Sequence, residues 1–246
     1  MNSMATTRKR KINCKMKETE VNNRKKFVIL GLFLLFLVSC DFRSSDYYFS
    51  KAEQLEAEDK YAEAIILLDK AIVKNPQNIY ALLNRGANKS VLKDYRGAID
   101  DYTKVIEIDS MNTLAFFNRG LIKQRKEDYH SAIEDFNRAI KTKGLENFWM
   151  DRPTNYFSKR GEFDVPMEDI RLERGYARYN SDSLRVAMED FHFCIERNYQ
   201  PGLSYYMAGL VYINFNMIEE GCKALMQARI FGNLDAEEMI DEYCKK

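Results

Sequence analysis

Few residues of this 246-residue chain have a type and spacing that could do chemistry. Cysteines stand at 14, 40, 194, 222 and 244, and the two histidines are His130 and His192. The histidines are isolated from one another and from any Cys pair, so a four-ligand metal site has nothing to build on. No phosphate-binding P-loop, glycine-rich dinucleotide turn, HExxH or GxSxG occurs. Asp and Glu are plentiful, but they fall on the polar faces of helical stretches and are not paired for acid–base work. The sequence therefore predicts no catalytic residue, no cofactor and no metal. What does recur is chemistry of recognition: arginines at 85, 119 and 174, each followed sixteen residues later by an aspartate, Asp101, Asp135 and Asp190. A guanidinium fork matches a carboxylate, and that repetition asks for a repeated scaffold.

Charge divides the chain before any element is assigned. Lys and Arg number 38 against 37 Asp and Glu, yet residues 1–39 hold nine basic and two acidic side chains, a balance of +7, and the remaining 207 residues balance at −6. An acidic body gives no support for nucleic-acid binding, which requires cations to neutralise phosphates. Arg24-Lys25-Lys26 precedes an uncharged apolar run, Phe27 to Val38, and then Ser39-Cys40. Twelve apolar residues are too few to span a bilayer as a helix, which takes roughly 20. A basic start, a short apolar stretch and a small residue before the cut site make a secretory signal. Leu37-Val38-Ser39-Cys40 resembles the lipobox of bacterial lipoproteins, and the resemblance implies that Cys40 is the lipid-attachment residue and the mature N-terminus. Residues 1–39 are then a lipoprotein signal peptide, translated from Met1, Met4 or Met16, and residues 40–44 a lipid-anchored linker. Asp41 leaves inner against outer membrane open. Each buried CH2 of an acyl chain contributes about 0.8 kcal/mol, so two or three chains hold a protein stably on a bilayer.

From residue 45 onward the sequence repeats itself. Ala64, Ala98 and Ala132 lie at 34-residue steps, as do Ala187 and Gly221, and the 55-residue step between the two sets is one further repeat plus a 21-residue insertion. The units are 45–78, 79–112, 113–146, 168–201 and 202–235, with the insertion at 147–167 and a capping helix at 236–246. Position 8 reads Ala52, Gly86, Gly120, Gly175, Gly209; position 24 reads Leu68, Tyr102, Phe136, Phe191, Leu225. Each unit carries two stretches of helical periodicity, such as Tyr95, Ala98, Ile99, Tyr102, Val105, Ile106. Small residues at 8, 20 and 27 let two helices approach closely, and the large residue at 24 fills the space toward the next pair. This pattern resembles the tetratricopeptide repeat (TPR) family. The resemblance implies an all-α fold, a right-handed α-solenoid of five helix-turn-helix repeats with a C-terminal capping helix. Pro76 ends a helix at position 32 of the first unit, while Ser110, Gly144, Tyr199 and Asn233 stand there in the others, so those turns must close by other means.

In repeat numbering, arginine occupies position 7 and aspartate position 23 of units two to four, and both are missing from units one and five. That joint pattern predicts three ion pairs, Arg85–Asp101, Arg119–Asp135 and Arg174–Asp190, each joining the two helices of one repeat. Positions 2, 5, 6, 9 and 12 of each first helix face the concave groove of such a solenoid. Tyr80, Leu83 and Asn84, then Leu114, Phe117, Asn118 and Leu121, then Leu172, Tyr176 and Tyr179, then Tyr206, Leu210 and Ile213 make that channel apolar and aromatic. Asn84 and Asn118 resemble asparagines with which some TPR proteins bond an extended peptide backbone, since an amide serves both N–H and C=O. The insertion, with Phe148, Trp149, Tyr156, Phe157 and Phe163, either crosses that groove or plugs the gap between units three and four. Cys194 sits at a small, buried repeat position and should stay free. Cys222 and Cys244 would be bridged if the final helix caps the array, a geometry that spacing alone leaves open.

Together these readings predict a non-enzymatic, membrane-anchored adaptor in a bacterial cell envelope, facing the periplasm or the cell exterior. Its partner is a protein, held by a peptide or helix in the groove; nucleic acid and metal are not expected. The alternatives are a subunit of an envelope assembly machine, or a recruiter of peptidoglycan-acting enzymes.

Overall fold

The computed structural model describes residues 42–146 and 164–245. The signal segment, the lipid-site Cys40 and residues 147–163 of the insertion lie outside the described residues. Ser45 begins one compact unit that runs to the C-terminus. Its described residues form eleven α-helices and no strand: α1 Ser45–Glu56, α2 Tyr61–Lys74, α3 Ile79–Val91, α4 Tyr95–Ile108, α5 Thr113–Arg125, α6 Tyr129–Glu146, α7 Met167–Asn180, α8 Leu184–Glu196, α9 Pro201–Asn214, α10 Ile218–Ile230 and α11 Asp235–Tyr243. The first ten pair in order into five hairpins, and neighbouring hairpins stack into an α-solenoid, because helices this short bury their apolar faces only against neighbours.

Packing inside each hairpin follows the small-to-large pairing of positions 8 and 24. A Cβ placed on Gly86 would stand 2.8 Å from the Tyr102 ring, one on Gly120 2.8 Å from Phe136, and one on Gly175 2.7 Å from Phe191. Glycine is thus a requirement for an aromatic ring to lie flat across the first helix. The first unit solves the same problem with Ala52 against the smaller Leu68, both fully buried in one cluster. The small residues at position 20 and all five at position 27 are buried too, Cys194 among the latter. Burial pushes the Cys194 thiol up to about 12, with Asp190 and Glu168 adding to the effect, so it stays protonated at neutral pH.

The turns use chemistry that glycine counts do not reveal. Position 15 of every unit, Asp59, Lys93, Glu127, Asp182 and Asn216, has a positive φ between 58° and 65°. The next amide then reaches back to close the helix end, as when Asp94 N donates to Lys89 O at 2.8 Å and Met217 N to Tyr212 O at 2.9 Å. Between units, asparagine takes over: Asn78 Oδ1 accepts from Ala81 N at 3.1 Å, Asn112 Oδ1 from Ala115 N at 2.9 Å, and Asn233 Oδ1 from Ala236 N at 3.0 Å. Where the insertion rejoins the array, Val165 is buried in the core shared with Phe136 and Ile170, and Lys143 pairs with Asp164.

The C-terminal helix is shorter than the expected 236–246 segment, spanning Asp235–Tyr243. It buries Ala236 and Ile240 against Leu225 and Ala228 of α10. A disulfide joins Cys222 to Cys244 with Cα atoms 5.7 Å apart, clipping this cap to the last repeat. The bond closes a loop of 22 residues. Replacing both cysteines by serine should therefore cost the capped end about 3 kcal/mol. Faster amide exchange across α11, with α3 to α6 unchanged, is the expected reading.

Candidate functional site

Two layers position the polar residues of the array. Between the helices of the middle repeats lies a ladder of charge. Arg85, Arg119 and Arg174 each donate Nε to the aspartate of their own unit, Asp101, Asp135 and Asp190, at 2.9 Å in all three cases. Their Nη2 atoms hold the second carboxylate oxygen, at 2.7 Å for Asp135 and 2.6 Å for Asp190, and likewise for Asp101. These carboxylates are buried, with relative exposures of 3% for Asp101 and Asp135 and 0% for Asp190. They are therefore not the surface pairs whose contribution is only about 0 to 1 kcal/mol.

Two features of this ladder go beyond the sequence expectation. The third guanidinium nitrogen crosses to the preceding repeat: Arg85 Nη1 reaches Asp69 at 2.6 Å, Arg119 Nη1 reaches Thr103 Oγ1 at 3.0 Å, and Arg174 Nη1 reaches Asn137 Oδ1 at 2.7 Å. All three acceptors occupy position 25. A second cation at position 11 also reaches each aspartate: Lys89 at 2.8 Å, Lys123 at 2.7 Å and Arg178 at 2.8 Å. One arginine thus fixes both the angle within a hairpin and its register on the previous one. At the last junction the device is replaced: Ala208 and Ala224 are buried, and Tyr212 Oη sits 3.4 Å from Nε2 of the exposed His192.

The other layer is the row of first helices, α1, α3, α5, α7 and α9. These helices touch directly through side chains. Asn84 Nδ2 donates to Glu56 at 2.9 Å and Asn88 Nδ2 to the other oxygen of Glu56 at 2.6 Å. Gln124 Nε2 donates to Glu173 at 2.6 Å, and Asn214 Nδ2 to the Tyr179 hydroxyl at 3.2 Å. Burial suppresses the acidity of the Tyr102 hydroxyl, and Asn118 of the next repeat acts against that shift. Asn84 is therefore not an idle amide awaiting a peptide. It already ties its repeat to the one before it, which leaves it the carbonyl oxygen for a further bond.

The apolar channel is narrower than expected. Leu83 is 3% exposed and joins the core cluster with Ala98, Tyr102 and Ala115, because an aliphatic side chain gains most by leaving water. Leu172 is buried likewise. Tyr80 packs on Phe49 with ring centroids 6.4 Å apart, and Phe117 on Phe136 at 5.9 Å. Tyr176 is 42% exposed, and Tyr80, Phe117, Leu121, Tyr179, Tyr206 and Leu210 are half-buried. Burial raises the Tyr206 phenol above its usual range, and Asp235 and Glu238 of the capping helix add to it. Glu173 is raised by burial and by Asp169, against the lowering effect of Gln124 and Arg125. Among the described residues no cluster of His, Cys, Asp or Glu is arranged to hold a metal ion, and no helix is long and apolar enough to cross a membrane.

A family model described as tetratricopeptide repeat matches residues 114–143, which is the third hairpin from α5 into α6. No curated protein matches the chain. Solved structures do resemble it. YrrB, "a TPR protein with an unusual peptide-binding site", is 18% identical with a TM-score of 0.63, covering 79% of this chain and 90% of that one. MamA from Desulfovibrio magneticus RS-1 is 11% identical with a TM-score of 0.64, covering 76% and 94%. Another MamA protein is 18% identical with a TM-score of 0.62, covering 82% and 96%. At such identities the likeness is one of fold. It agrees with the 34-residue spacing and the position 8 and 24 pairing already described: residues 114–143 match the tetratricopeptide repeat, and the described residues share the fold of solved tetratricopeptide-repeat structures.

Proposed function

We propose that this chain is a non-enzymatic adaptor, anchored by lipid on Cys40 in a bacterial cell envelope, that binds a peptide or helix of a partner protein on its first-helix layer. The observation that carries the binding reading is the set of partly or fully exposed apolar side chains Leu121, Tyr176, Tyr179, Tyr206 and Leu210 on three successive first helices. Such a patch loses unfavourable water contact when a partner covers it. The helices beneath it are fixed by buried ion pairs and by the aromatic core, so little ordering cost falls on the receptor. YrrB, of the same fold, has a peptide-binding site, which supports this use of the scaffold. The anchoring reading rests on the basic start, the twelve-residue apolar run and Leu37-Val38-Ser39-Cys40.

One set of variants tests both parts. Leu121→Ala with Tyr176→Ala should reduce recovery of the partner by the full-length protein at least tenfold while leaving its melting transition within a few degrees. Undiminished recovery would move the partner site elsewhere. Cys40→Ala should abolish incorporation of labelled palmitate and shift the protein out of the membrane fraction. Retention of both label and membrane association would refute the anchor.

A further inference from the structure

The groove-facing positions of the first-helix layer carry charge of one sign. Positions 2, 5, 6, 9 and 12 of the five units include the carboxylates Asp46, Glu53, Glu56, Asp169 and Glu173, and neither Lys nor Arg. Arg125, one position further along α5, is a cation that acts on Glu173, and Asp235 and Glu238 of α11 extend the acidic field to Tyr206 at the C-terminal end. These charges are unequally engaged. Glu56 accepts from two asparagine amides, and Asp169 pairs with the Tyr199 hydroxyl. Glu173, beside the apolar row, accepts one hydrogen bond among the described residues, from Gln124. The remaining polar atom of that glutamine, Oε1, is buried and has no hydrogen-bond partner. A carboxylate and a carbonyl-type oxygen thus stand together short of donors, on α5 and α7, where Leu121 and Tyr176 are accessible.

A carboxylate with one donor and an amide oxygen with none, inside an acidic field, ask for a group that brings several N–H bonds and a positive charge. Lys supplies three donors and Arg five, whereas a neutral amide supplies two and no charge. The adjoining apolar row would take the aliphatic stem of such a side chain and its hydrophobic neighbours. We propose that the partner segment is a basic amphipathic peptide, whose apolar face covers Leu121, Tyr176 and Tyr179 and whose Lys or Arg seats on Glu173 and Gln124 at the junction of units three and four. This assignment rests on the groove reading above and adds the chemical class of what the groove accepts. An acidic peptide of the same apolar pattern is repelled by the same row, so the field both attracts and discriminates.

The test uses the full chain and two fluorescein-labelled 18-residue probes of helical apolar spacing, one of Leu and Lys and the other of Leu and Glu, read by anisotropy at 150 mM salt. The Lys probe should bind at least tenfold more tightly than the Glu probe. Glu173→Gln should remove most of that preference, and Glu173→Lys should reverse it. Glu134→Lys, the same charge change on an exposed second helix, should leave it unaltered. Gln124→Met is the second variant at the site and should weaken the Lys probe alone, with circular dichroism confirming folded protein in each case. Equal affinity for the two probes, with both lost in the Leu121→Ala, Tyr176→Ala double variant, would overturn the basic-partner proposal and leave the groove standing. A Lys preference that Glu173 changes do not touch, or that Glu134→Lys reduces equally, would overturn it as a general effect of the acidic surface. Binding that survives the Leu121→Ala, Tyr176→Ala variant would overturn the groove reading itself.

Discussion

Replacing Asp190 by Asn is expected to destabilise the protein by about 3–5 kcal/mol, the cost of leaving buried charge without its counter-charge. Asp190 is fully buried and accepts from three guanidiniums: Arg174 at 2.6 and 2.9 Å, Arg178 at 2.8 Å and Arg171 at 3.4 Å. The amide removes the one negative charge at their centre and presents its own N–H bonds to donors. Arg171 gains further support from the Phe193 ring, 4.2 Å from its guanidinium carbon, but a ring face does not replace a carboxylate. Asp101→Asn and Asp135→Asn should follow the same direction with smaller losses, since each faces one arginine and one lysine whose ammonium rotates more readily into water. Arg174→Met should cost less than Asp190→Asn, about 2 kcal/mol, because Arg171 and Arg178 remain to satisfy the carboxylate. Denaturant midpoints rank these variants. Hydrogen exchange should show protection lost first in α7 and α8, as expected of an array stabilised by nearest neighbours.

The second large effect belongs to the ring beneath Gly120. Phe136→Ala removes a fully buried side chain and should cost about 3–5 kcal/mol through lost burial and the cavity left behind. Gly120→Ala should cost about 1–3 kcal/mol for the opposite reason, since the new methyl would stand 2.8 Å from that ring. The two changes are coupled. Gly120→Ala combined with Phe136→Leu installs in the third unit the pairing that Ala52 and Leu68 already make in the first. The double variant should therefore lose less than the sum of Gly120→Ala and Phe136→Leu alone, by about 1 kcal/mol or more in a double-mutant cycle. Strict additivity would mean that positions 8 and 24 do not interlock.

Much of this fold was legible because a repeat offers five readings of each position. Small residues at 8, 20 and 27 and large ones at 24 are a volume code, and volume is what close packing enforces. The arginine and aspartate of units two to four were legible by joint presence and absence. The same reasoning applies to the position 11 cations Lys89, Lys123 and Arg178, which vanish with them in units one and five. It extends to the polar residues Asp69, Thr103 and Asn137 at position 25, each preceding a unit that carries the arginine. The turns were harder to read, because Lys93 and Glu127 take a left-handed conformation that the sequence does not mark with glycine; the helix-closing amides offset the strain. The groove was least legible. A position facing inward on a helical wheel does not say whether the next helix will cover it, and so Leu83 was assigned to a surface from which its neighbours exclude it. Nor does residue type reveal that Asn84 spends an N–H on the preceding repeat.

The proposed adaptor seats its partner on the first-helix layer. A photo-crosslinking amino acid placed singly at Leu121, Tyr176, Glu134 and Glu189 of the full chain, in the cells that produce it, tests that claim most directly. Leu121 and Tyr176 lie on the first-helix layer, and Glu134 and Glu189 are exposed on second helices. Covalent partner adducts from the first two positions, with none from the second two, are predicted. Adducts from Glu134 and Glu189, with none from Leu121 or Tyr176, would contradict the account.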